Sequence, residues 1–84
     1  MINETGLKVY RKLLYYYKKK IPVHFSTNNG DGWKNGNILD LSKTNQTLVI
    51  KEFKQGILPY LFEEIILESI QEYKEVKKDG SGNQ

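Results

Sequence analysis

The chain of 84 residues contains no cysteine, which excludes disulfides, thiolate nucleophiles and cysteine-ligated zinc together. It has one histidine, His24, and neither Asp40 nor any glutamate stands at a spacing from it that fits a metal site or a catalytic triad. Arginine is nearly absent: twelve of the thirteen basic residues are lysine, so planar forks for bidentate phosphate or base recognition are scarce. No apolar run approaches the roughly 18 residues that cross a bilayer, and the first residues lack the apolar centre of a secretion signal. The adjacent carboxylates Glu63 and Glu64 fall in a turn, where neighbours diverge into solvent rather than form an acid–base pair. These absences predict a soluble, cytoplasmic, non-enzymatic protein with no catalytic residue, no metal, no cofactor, no membrane and no small-molecule substrate.

A chain this short forms one domain, expected over residues 1–73, and buries only about 60–65% of its unfolded surface. Association with further copies would add stability. The net charge of +3 is unevenly placed. Between Met1 and Lys20 six basic residues face one acid, Glu4, whereas between Glu63 and Glu75 five glutamates face one lysine. Such polarity suits either a nucleic-acid-facing end or two ends that complement each other in an assembly.

Asn3 and Thr5 are the two candidate N-caps for a helix over about 5–20. Leu7, Tyr10, Leu14, Tyr17 and Ile21 recur at steps of three and four, widened by Val9 and Leu13, and predict its buried stripe. Lys18, Lys19 and Lys20 suit its C-terminal dipole, and Pro22 stops it. The period then changes to two. Val23 and Phe25 alternate with His24 and Ser26, which places His24 outward, and residues 28–32 are dense turn chemistry. A second strand runs from Trp33 to Ser42 and bends at Gly36, with Ile38 and either Leu39 or Leu41 inward. A third covers Thr47–Phe53. A fourth, Ile57–Phe62, carries Pro59 and therefore lies at an edge or presents that position away from its neighbour. A helical turn at Glu63–Ile65 and a last strand over about Ile66–Tyr73 follow. Residues 74–84 hold almost nothing apolar and are expected to be a disordered polar tail.

The fold class is thus mainly β, an N-terminal α-helix followed by a five-stranded, strongly bent antiparallel small barrel. The glycine-bent second strand, with Gly30 or Gly32 before it, Gly36 within it, Ile38 and Leu41 after it and the apolar Leu48-Val49-Ile50 beyond, resembles the Sm-like (Sm/LSm) family over about residues 6–73. Ser42 stands where that family keeps an aspartate, and Gln46 or Thr47, or Asn45 with a loop one residue longer, where it keeps an asparagine. Glu63 and Glu64 stand where its second motif falls. The resemblance implies RNA association and homo-oligomers that pair the fourth strand of one copy with the fifth of the next.

Aromatic rings that stack on bases and cations that neutralise phosphate are what a single strand of RNA requires. Lys12, Tyr15, Tyr16 and Lys19 on the helix, Trp33 after the glycine-rich turn, and Asn35 and Asn37 beside Gly36 are the candidate contacts. Lysine-rich faces are also commonly just solvated, and Trp33 can equally close one end of the core. Tyr60, Phe62, Ile66 and Ile70 are the candidate subunit-interface residues on the edge strands. The alternative to an RNA-associated, self-assembling protein is a protein–protein adaptor of SH3-like barrel form.

Overall fold

The computed structural model of the chain describes residues 4–74. Asn3 and all but the first residue of the expected tail lie outside them. Helix α1 runs over Glu4–Lys19, with Glu4 in its first turn and Lys18 and Lys19 in its last, each placed to offset the helix dipole. Lys20 closes it in a left-handed conformation, φ 57°, and Pro22 prevents continuation. The buried face is Gly6, Val9 and Leu13, with Tyr10 and Tyr16 packed against the core. This is one residue round from the stripe that the spacing predicts. Gly6, which has no side chain to count as apolar, lies on this buried face. Tyr17, expected inside, is 38% exposed. No helix among the described residues is long and apolar enough to cross a membrane.

Five strands follow: β1 Val23–Ser26, β2 Trp33–Ser42, β3 Thr47–Glu52, β4 Gly56–Leu61 and β5 Gln71–Glu72. They form one antiparallel sheet in the order β4-β3-β2-β1-β5. The barrel is not closed, because β4 and β5 remain opposite edges of this sheet. Val23, Phe25, Leu48, Ile50, Tyr60, Phe62, Ile65 and Ile70 line its inner face and meet Val9 and Leu13 of the helix. Of the two alternatives for the inward residue in β2, Leu41 packs against the core and Leu39 is exposed. The reason is a register shift between Ile38 and Asp40, which makes Leu39 a bulge and sends it outward.

The last strand is far shorter than the expected Ile66–Tyr73. Two 3-10 turns, Phe62–Glu64 and Leu67–Ser69, take up most of the chain between β4 and β5. Ser69 accounts for the second. Its hydroxyl accepts the Ser26 N–H at 2.8 Å and donates to the Ile66 carbonyl at 2.6 Å. A side chain thus takes the place of a strand along the edge of β1. Ile66 N–H donates to the Ser26 carbonyl, and Thr27 bridges to Ile65. The acidic turn is engaged as well: Glu64 accepts from the Leu61 N–H with Oε1 and from the Asn29 amide with Oε2, while Asn28 donates to the Glu63 carbonyl. Tyr60 donates to Asp31 at 3.4 Å. Burial, with the Asp31 charge beside it, pushes the Tyr60 phenol up to about 12.

The subunit-interface residues need correction. Tyr60, Phe62 and Ile70 are at most 5% exposed and belong to the core; only Ile66 reaches the surface. β4 turns Leu58 and Tyr60 inward and leaves Ile57, Pro59 and Leu61 outside. The Phe62 N–H donates back to the Gln46 carbonyl at 2.8 Å, so the alternate residues Leu61, Pro59 and Ile57 direct their backbone to the open edge. Proline has no N–H and the Leu61 N–H is taken by Glu64. The edge therefore offers an incoming strand few donors.

Gly36 marks a close approach of β2 to β3. Gly36 pairs with Glu52, and a Cβ built on Gly36 would lie 2.8 Å from the Glu52 Cα. Glu52 is buried, and its carboxylate accepts N–H groups from Asn35 at 3.2 Å, Lys54 at 2.8 Å and Gln55 at 2.9 Å. Burial alone would raise its pKa; the three N–H groups and the Lys34 ammonium outweigh it and hold the pKa below the ordinary value.

Gly36→Ala should lower unfolding free energy by about 2–3 kcal/mol in urea titrations, because backbone, not a flexible side chain, must move. Gly30→Ala, at φ 95° with open space around it, should cost only about 1–2 kcal/mol of backbone strain. Equal costs would remove the close approach as the cause. A lowered folded pKa means that the Glu52 contribution is present at neutral pH and is lost as pH falls below about 4.5, the ordinary value, through the folded one. Glu52→Gln should therefore destabilise the protein by about 1–3 kcal/mol at pH 7. Its penalty should shrink in acid, and a pH-independent penalty would count against the carboxylate.

Candidate nucleic-acid interface

The pleat alternates side chains between faces, so the residues between the core positions of β1 and β2 emerge together on the outer face. His24 pairs with Asn35 on one side and with Gln71 on the other. The Phe53 N–H donates to the Asn35 carbonyl at 3.0 Å. Phe53, Asn35, His24 and Gln71 thus form a row across four strands. Trp33, two residues before Asn35, lies diagonally to His24, and the two rings stack at 4.3 Å and 5°. Tyr73 follows β5 and is tied to the Pro22 carbonyl through its N–H at 2.9 Å. Its ring stands 6.5 Å from His24 and 5.2 Å from Phe53. Four aromatic rings therefore surround one amide, Asn35.

The amide is oriented by the histidine. His24 Nδ1 is hydrogen-bonded to Asn35 Oδ1. A carbonyl oxygen only accepts, so Nδ1 donates in this pair and Asn35 keeps its NH₂ as a donor. Tyr73 separates two clefts that share Asn35. One, of about 600 Å³, is lined by His24, Asn35, Gln71, Glu72, Tyr73 and Lys74. The other, of about 230 Å³, has Trp33, Phe53, Lys54 and Gln55 among its walls. Lys54 and Lys74 are exposed at their rims, whereas Lys34 is buried and donates to Gln55 at 3.0 Å. Trp33 is 52% and Phe53 50% exposed.

The seven residues expected to contact RNA do not form one site. Trp33 and Asn35 meet in the aromatic row. Asn37 is also on the outer face, but lines a separate cleft of about 380 Å³ with Tyr16, Tyr17, Lys20 and Ile38. Tyr16 is half-buried rather than free on the helix surface; burial raises its phenol pKa, with Glu72 and Tyr15 adding to the effect. Tyr15 is exposed and sets its ring edge-on to Tyr16 at 5.2 Å. Lys12 donates to the Leu67 carbonyl at 3.3 Å, and Lys19 is exposed near the helix end.

His24, Phe53 and Tyr73 are the residues that sequence reasoning misses here. A signal for the first was present. Counting back from the 28–32 turn along both strands puts His24 beside Asn35, once the hairpin register is known. Nothing local marks Tyr73, which reaches the row only because the chain after β4 returns along β1. No family model, curated protein or solved structure matches the chain.

Proposed function

We propose that the protein is a non-enzymatic binding module that takes single-stranded nucleic acid, RNA in the first instance, on the outer face of its sheet. The observation that carries this reading is the exposed aromatic row around Asn35, with Trp33 stacked on His24 and lysines at the rim. Flat rings left half in water accept bases, an oriented amide reads a base edge, and Lys54 and Lys74 neutralise phosphate. Folding alone gives no reason to leave Trp33 and Phe53 outside, since each would stabilise the domain more by burial. The resemblance to Sm-like proteins points to the same ligand class by a different route.

One observation favours a protein partner: Leu39, Ile57 and Leu61 are exposed on the outer face. These lie away from the aromatic row. A second copy docking there would appear as more than one chain in sedimentation at micromolar concentration, and its absence would leave the outer apolar residues without that role.

Trp33 is the sole tryptophan, so its emission reports the site directly. Titration with a uridine oligonucleotide at low salt should quench it, with an affinity that falls steeply as salt rises. By fluorescence anisotropy of a labelled oligonucleotide, Trp33→Ala and Phe53→Ala should each weaken binding by about 1–3 kcal/mol while leaving the thermal transition largely in place. Unquenched emission and unchanged anisotropy at low salt would end this reading.

A further inference from the structure

We infer that the nucleic-acid track continues along β2 to a second subsite at the end of α1, where Tyr17, Lys20 and Asn37 receive the next part of the same strand. This rests on the outer-face reading above. Trp33, Asn35 and Asn37 project from one face at successive alternate positions, so the track from first to last spans about 13 Å at the usual strand rise, a distance covered by a few nucleotides.

What happens to β2 beyond Gly36 builds the second subsite. β1 ends opposite Gly36, its Val23 pairing there, and from Asn37 onward the flank of β2 on that side has no strand. The end of the helix fills the flank. Ile21 N–H donates to the Tyr16 carbonyl at 3.0 Å and Lys20 N–H to the Tyr17 carbonyl, and the left-handed turn at Lys20 swings the chain back into β1. The cleft left between helix end and strand has a ring, an amide and an ammonium in its wall: Tyr17, Asn37 and Lys20. These are the same three kinds of group that meet around Asn35. Tyr17 is exposed although it falls on the apolar spacing of the helix, so its ring is not spent on the core. Lys18 and Lys19 are exposed beside it and add to the positive field at the exit of the track. Two carboxylates border the route: Glu52 at the Trp33 cleft, already taken up by three backbone N–H groups, and Glu72, which lines the His24 cleft and acts on the half-buried Tyr16 phenol in the wall of the second.

The two subsites separate by ligand length. A labelled uridine trinucleotide should occupy the Trp33 end alone, and an octanucleotide should reach both. Tyr17→Ala and Lys20→Asn test the far end, asparagine being the residue that removes the charge while tolerating the left-handed backbone. Each variant should weaken the octanucleotide about tenfold and leave the trinucleotide within about twofold, by anisotropy, with Trp33 still quenched. If both variants bind the octanucleotide as the wild type does, or lose both ligands equally, the second subsite is refuted and the Trp33 site stands. If the wild type quenches with neither oligonucleotide, the outer-face reading fails and the second subsite with it.

Discussion

The Glu52 carboxylate and the bare backbone of Gly36 opposite it form the joint on which the remaining geometry depends. The carboxylate gathers N–H groups from Asn35, Lys54 and Gln55, and so fastens the β3–β4 turn to the start of β2. Gly36 permits the approach because any side chain there would enter the backbone of Glu52. A buried acceptor with three donors is satisfied, whereas the same carboxylate with one partner removed would leave a charge without solvation. The joint fixes the phase of β2 on both sides. Lys34, Gly36 and Ile38 are committed to the inner face, which leaves Trp33, Asn35 and Asn37 outside.

Two sets of aromatic residues follow from that phase. Phe25 and Tyr60 meet edge to face at 5.7 Å inside, and Phe62 packs near Tyr10 of the helix. These rings cement the sheet to α1. Trp33, His24, Tyr73 and Phe53 form the outer set and contribute little to closing the core. The segment after β4 serves both. Its side chains Phe62, Ile65 and Ile70 complete the interior, and its backbone runs along β1 until Tyr73 is delivered to the outer row.

Much of the fold was legible in the sequence because the signals were local. The helix shows in its spacing and its proline stop, the first hairpin in the dense turn of residues 28–32, and the edge position of β4 in Pro59. Where signals competed, packing decided. The helix stripe lies one residue round, with Gly6, invisible to an apolar count, on the buried face. The last strand was overextended because Ile66-Leu67 and Ile70 look strand-like, while Ser69 substitutes its hydroxyl for a ladder bond. Tyr60, Phe62 and Ile70 looked like an edge because the phase of a short strand is not fixed by its composition. For the site, Trp33 and Asn35 were legible as an exposed ring and an amide beside a glycine. Their partners His24, Phe53 and Tyr73 come from three further elements and are assembled only by sheet order.

A ring of aromatics around a polar group also suits an alkylated ammonium ion, which binds through cation–π attraction. Such a site needs a carboxylate within reach to offset the desolvated charge. Here the candidate in the narrower cleft, Glu52, already accepts three backbone N–H groups. The exposed charges are Lys54 at the narrower cleft and Lys74 together with Glu72 at the wider one. In the narrower cleft a cation would therefore pass the Lys54 ammonium toward an acceptor that is already occupied. An anionic chain with flat bases meets the opposite arrangement, in which the rim attracts, the rings stack and the Asn35 NH₂ finds an acceptor. The sign of the rim at the narrower cleft, more than the rings themselves, is what separates the two ligand classes there.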